Sequence, residues 1–261
     1  MNSPIALIGG EEFADGFEDV HAHLLELVRS SHARNNGRSV SVAFLPTCAT
    51  EDGPETVAYW CEEASRRLGA LGAEVMPVSI VDQASANDLV NARMIAEADW
   101  VYIGGGYPHV GMRILNGTRA LQALETARQR GALIAGASAG AMMIGARSWV
   151  ITPELDAAVT EMFSKGIGVS EWDLPQPPPL ECLGVVPRSM CWPHANLLFS
   201  VRWLKNGLLP PGHFVIGIDE QTALVNTGTD GWQVLGRGKV TLVDDRYQIR
   251  EFSAGSQLSS L

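Results

Sequence analysis

The chain has 261 residues, 46% hydrophobic and 18% charged, the balance of an ordinary globular protein with apolar residues enough for a sizeable core. Disorder, collagen and fibres are excluded on those figures. A total of 19 Lys and Arg against 29 Asp and Glu gives a net charge of -10, which offers no electrostatic footprint for a phosphate backbone or an anionic membrane, so nucleic acid and membrane are not expected partners.

The N-terminal MNSPIALIGG has no basic region and a short apolar run, Ile5 to Ile8, so it reads as a first strand and not as a signal peptide. Up to about Arg147, short β-branched runs alternate with amphipathic stretches, the pattern of βα units on a parallel sheet. The predicted strands are Pro4 to Ile8, Val40 to Leu45, Glu74 to Val81, Trp100 to Ile103 and Ala132 to Ala135. Pro54 to Leu71 carries Val57, Cys61, Ala64, Leu68 and Leu71 as one buried helical stripe, and Met112 to Arg130 reads as another helix. Gly131 to Ala146 carries no charge, yet it is shorter than the roughly 20 residues of a membrane span. It reads instead as strand, tight turn and a helix over Ala141 to Ala146.

Further along, Ser170 to Cys182, with Pro175, Pro177, Pro178 and Pro179, is neither regular helix nor central strand. Leu183 to Val186 is strand-like, and a helix is expected over Leu197 to Gly207. Short strands at Phe214 to Asp219, Ala223 to Asn226, Gln233 to Leu235, Lys239 to Val243 and Gln248 to Phe252 are expected to complete one edge of the sheet as antiparallel hairpins. The cysteines, Cys48, Cys61, Cys182 and Cys191, form no C-x-x-C pair, so no disulfide framework, metal site or cofactor is indicated and a reducing cytoplasm fits best.

Gly136-Ala137-Ser138-Ala139-Gly140 stands between a predicted strand and a predicted helix, which is the G-x-S-x-G nucleophile elbow in residues and in context. The helix N-terminus adds a field favouring the oxyanion formed when Ser138 attacks a carbonyl. Gly104-Gly105-Gly106 follows another strand and would bring amides to the same carboxyl edge, with Ala139 supplying the other oxyanion donor. Its spacing is neither a dinucleotide fingerprint nor a Walker loop. Of the histidines only His194 and His213 lie beyond Ser138. His194 is the preferred base, since its position before a helix suits the carboxyl edge, whereas His213 precedes a strand and would sit at the opposite one. His21 and His23 read as solvated, and His109 as bordering the cleft.

These segments, with Gly217-Ile218-Asp219-Glu220-Gln221-Thr222-Ala223-Leu224, resemble the cyanophycinase and dipeptidase E family of serine peptidases, whose fold is like that of class I glutamine amidotransferases. The resemblance runs from about Ile5 to Val243. It implies a single domain over 1–261, an α/β three-layer α/β/α sandwich with a mostly parallel sheet and a β-rich C-terminal edge from about 214. It further implies Ser138 as nucleophile, His194 as base, Glu220 as the carboxylate orienting it, and the amides of Gly106 and Ala139 as oxyanion hole, acting on a small peptide substrate.

The chain departs from family members in its lining. Dipeptidase E has an asparagine after the glycine loop and a basic segment after the histidine; here stand Tyr107 and Ala195-Asn196-Leu197-Leu198-Phe199. Gly105, Tyr107, His109, Trp192 and Arg202 are the expected substrate-binding residues, and the aromatic lining predicts no strong preference for aspartyl dipeptides. The Pro175 to Pro179 segment is expected to border the cleft. The residues also admit an esterase using Asp156 or Asp173, or a non-catalytic binding module, and are compatible with a homodimer.

Overall fold

The computed structural model describes residues 3–31, 38–165, 177–199, 201–228 and 231–261, without the side chains of 162–165, 202 and 206. The strands of the first half are β1 (Ile5–Ile8), β2 (Ser41–Leu45), β3 (Glu74–Pro77), β4 (Trp100–Ile103) and β5 (Leu133–Ala137). They lie parallel in the order β1-β5-β4-β2-β3. β3 ends at Pro77 and not at Val81, since proline gives the ladder no donor.

Because strand side chains alternate between faces, each strand feeds two cores. Ala6, Phe44, Tyr102 and Ala135 face one, under α1 (Glu18–Ser31) and α2 (Pro54–Ala70); Leu7, Leu45, Ile103 and Ile134 face the other. The second core also receives apolar residues of α3 (Gln83–Ala86), α4 (Leu89–Glu97), α5 (Pro108–Leu115), α6 (Arg119–Gln129) and α7 (Ala139–Ile144). The single helix expected over Met112 to Arg130 is two. Asn116 leaves α5 with extended backbone, Gly117 turns at φ +72°, and the Thr118 side chain caps α6.

The second half departs most from expectation. The chain leaves α7 at Gly145 directly into β6 (Gly145–Trp149), where the sequence reads as continuing helix, and then forms α8 (Pro153–Lys165) and β7 (Pro179–Glu181). β8 occupies Val186–Trp192, beginning where the expected strand ends; α9 (Ala195–Leu198) is a single turn, and the helix expected to Gly207 is broken into short pieces. There follow β9 (Phe214–Ile218), β10 (Thr222–Asn226), β11 (Trp232–Gly236), β12 (Lys239–Val243), β13 (Ile249–Ser253) and β14 (Gln257–Leu258).

These last strands do not share one sheet edge. β10, β11 and β14 extend the first sheet antiparallel beyond β1, whereas β9, β12 and β13 join β8, β6 and β7 in a second, six-stranded sheet. β9 and β10 are neighbours in sequence yet not paired: the turn Asp219-Glu220-Gln221 carries the chain from one sheet to the other. The reason is burial, since Ile216, Ile218, Val240 and Leu242 pack into the same core as Leu7 and Ile134, which a flat continuation of one sheet would leave uncovered.

His21, expected to be solvated, is buried on the inner face of α1 among Phe13, Phe17, Trp100 and Tyr102. Burial lowers its pKa to about 3. The unfolded chain therefore binds a proton near pH 6.5 that the folded chain refuses until about pH 3. Stability must fall as pH drops through that window, by up to about 1.4 kcal/mol per unit. Urea unfolding between pH 7 and 4.5 should give a shallower loss for His21→Gln than for wild type; equal slopes would refute it.

Candidate active site

The carboxyl ends of β1, β4 and β5 meet the ends of β8 and β9 at one place, and the loops leaving them build the site. Ser138 takes the turn from β5 into α7 with φ 51° and ψ -116°, a conformation L residues rarely adopt. Its amide donates to Ile8 O at 3.0 Å. The turn needs Gly140, where an added Cβ would stand 2.1 Å from Ile103 O. β4 and β5 are adjacent, so the loop Gly104-Gly105-Gly106 lies beside Ser138, with the Cβ position of Gly105 3.3 Å from Ser138 Cβ.

His194 follows β8 in the second sheet and also has a left-handed backbone, φ 51° and ψ 37°. Its Nε2 is 3.0 Å from Ser138 Oγ and its Nδ1 2.9 Å from Glu220 Oε1. Glu220 sits in the turn between the sheets, held by Asn196, whose side-chain oxygen accepts from the Glu220 amide at 2.9 Å. Asp219 is turned away: its Oδ2 accepts from the Lys239 amide at 3.0 Å, and burial raises its carboxyl above the ordinary value. Gly10 passes under the imidazole at φ +124°, where a Cβ would lie 2.3 Å from His194 Cε1. His194 N donates to Gly9 O at 2.8 Å.

Two chambers open from Gly106, Ser138 and His194. One, a cavity of about 110 Å³, is walled by Met142, Trp149, Leu155, Trp192, Leu198 and Trp203. The indole of Trp192 packs on Trp149 at 4.7 Å and on Trp203 at 5.8 Å between ring centroids, fixing that wall. The other chamber is lined by Glu11, Glu12 and Asp52 with Phe13, Tyr59 and Trp60.

The residues singled out from sequence fall in different places. Gly105 and Trp192 line the chambers. Tyr107 donates its hydroxyl to Asp156 Oδ2 at 3.1 Å, and burial with Asp156 and Asp52 nearby pushes its pKa to about 12. His109 and Tyr107 line an adjoining groove with Glu51 and Arg113. Asp156 lines the apolar chamber, while His213 lies in the turn before β9 with its Nδ1 3.2 Å from Pro211 O. The Arg202 side chain, Asp173 and Pro175 lie outside the described residues.

The model of peptidase family S51 matches residues 5–233. The chain belongs to peptidase family S51. Among solved structures, a peptidase from an acI-B1 Actinobacterium superposes with a TM-score of 0.79 at 24% identity, covering 99% of this chain and 97% of the other. A putative peptidase E protein from Listeria monocytogenes EGD-e gives a TM-score of 0.56 at 19% identity, over 90% of this chain and 99% of the other. At these identities both speak to the fold. No curated protein sequence matches significantly. As an S51 member the chain is a peptidase, and among its described residues no helix is long and apolar enough to cross a membrane.

Sequence reasoning passed over Gly9-Gly10-Glu11-Glu12 and Asn196. A glycine pair ending a strand and followed by two carboxylates is a signal of close main-chain approach. Gly10→Ala should push the imidazole away from Ser138 and slow labelling of Ser138 by a fluorophosphonate at least tenfold, measured by intact-mass kinetics. An unchanged rate would mean that Gly10 does not set the His194 position.

Proposed function

We propose that the chain is a serine peptidase acting on short peptides through an acyl-enzyme, with Ser138 as nucleophile, His194 as general base and Glu220 as its orienting carboxylate. The observation that supports this best is the continuous relay from Ser138 Oγ through both imidazole nitrogens to Glu220. Ser138 Oγ attacks the scissile carbonyl carbon while its proton passes to His194 Nε2, and Glu220 stabilises the imidazolium and fixes its tautomer. The carbonyl oxygen becomes an anion, and the amides of Gly106 and Ala139, on loops flanking Ser138, are its donors in this reading. Collapse breaks the C–N bond, His194 returns the proton to the departing amine, and water repeats the sequence on the ester.

The apolar chamber is the place for a substrate side chain. Its tryptophans suit an aliphatic or aromatic residue, and among the described residues neither chamber is lined by Lys or Arg that would pair an aspartyl carboxylate. We also read the chain as one domain, because β1 pairs with β10 and so unites its two halves in one sheet.

Ser138→Ala should retain less than about a tenth of wild-type kcat, since loss of a nucleophile costs orders of magnitude. Glu220→Gln should lower kcat far more than Asp219→Asn, and His213→Ala should be nearly silent; a reversed ranking would overturn the assignments. Across dipeptides, kcat/KM for Leu-Leu should equal or exceed that for Asp-Leu. A preference of roughly a hundredfold for Asp-Leu, the size expected of a buried charge partner, would defeat the reading of the pocket.

A further inference from the structure

The chamber opposite the tryptophan wall has a different chemistry. Gly10 at φ +124° and Glu11 at φ 55° turn the chain sharply after β1, so that Glu12 lines the chamber that also holds Ser138 and His194. Glu12 is 6% exposed, and apart from its own main-chain amide its carboxylate has no hydrogen-bond partner among the described residues. A carboxylate taken so far out of water without a cation is costly. Burial pushes the Glu12 carboxyl above the ordinary value, with Glu11 adding to the rise and His194 opposing it.

What surrounds Glu12 has the same preference. Glu11 and Asp52 add negative charge to the lining, and no Lys or Arg is among the described residues there. Asp52 is itself raised, first by burial and then by Asp156. Tyr59, 54% exposed, and Trp60 stand edge to face at 5.0 Å and offer π faces to the same space. Carboxylates beside aromatic faces form the lining that recognises organic cations.

We propose that this chamber is a cation subsite, in which Glu12 is the buried counter-charge for an ammonium or guanidinium group of a peptide whose apolar side chain occupies the other chamber. The inference rests on the reading of Ser138 as the reacting centre, since both chambers open from it. Two sources have the required chemistry, a free α-amino terminus and a Lys or Arg side chain.

Binding to full-length Ser138→Ala by titration calorimetry separates them without any need for turnover. Leu-Lys amide against Leu-norleucine amide tests the side chain, and Leu-Leu amide against N-acetyl-Leu-Leu amide tests the terminus. At least one pair should favour the cation tenfold or more, and adding Glu12→Gln should reduce that ratio at least fivefold. Asp52→Asn, at an exposed position, should reduce it less and serves in place of Glu12→Gln if that variant does not fold. Ratios near one in both pairs, or ratios that survive the loss of these charges, would overturn the subsite. Fluorophosphonate labelling of wild-type Ser138 is read separately, so a failure of the serine-peptidase reading is distinguishable from a failure of the subsite.

Discussion

His194 donates its main-chain amide to Gly9, which fastens the second sheet to the first where Ser138 emerges, while Gln221, donating to Gly10, prolongs the β1–β10 ladder up to that point. Everything else in the site depends on that seam. Ser138 and the glycine loop belong to strands of the first sheet, while His194 hangs from the second and Glu220 from the turn that joins them. Any side chain at Gly9 would strike the Asp219 carbonyl at 2.1 Å, so the sequence there is dictated by main-chain contact. Geometry at the 3 Å scale is thus imposed by backbone hydrogen bonds, which are less yielding than side-chain packing.

Much of the first sheet was legible because its strands are short apolar runs bounded by turn residues, and because βα units are local. The strand-to-helix turn at Ser138 was legible for a steric reason: a turn this tight admits small residues on both sides of Ser138. The second sheet was not legible. Its parallel core pairs β6, β8 and β9, strands far apart in sequence, and periodicity carries no information about such pairing. Gly145 ends α7 where Ala and Met on either side favour helix, so tertiary pairing overrode propensity. Which of Asp219 and Glu220 faces His194 depends on the direction of the turn between the sheets, and that direction follows from a sheet crossing that the sequence had hidden.

The two chambers have contrasting physical origins. The apolar one is an unfilled part of a small core around Trp149, Trp192 and Trp203, so its shape is maintained by close-packed rings. The acidic one is lined by the loops after β1, β2 and β4 together with the start of α2, and its carboxylates are exposed except at Glu12. Rigidity on one side and charge on the other divide the tasks of fitting and attracting a ligand.

Because Ser138 and His194 stand on different sheets, their separation is a gauge of how the interior is packed. Ile216 and Ile218 touch neither Ser138 nor His194 by hydrogen bond, yet they lie in the core shared by both sheets. The volume of the side chains there sets how closely the two sheets approach, and through it bears on the Ser138–His194 gap. The spacing of Ser138 and His194 is therefore open to adjustment from deep within the molecule, with the ligand-facing walls left untouched.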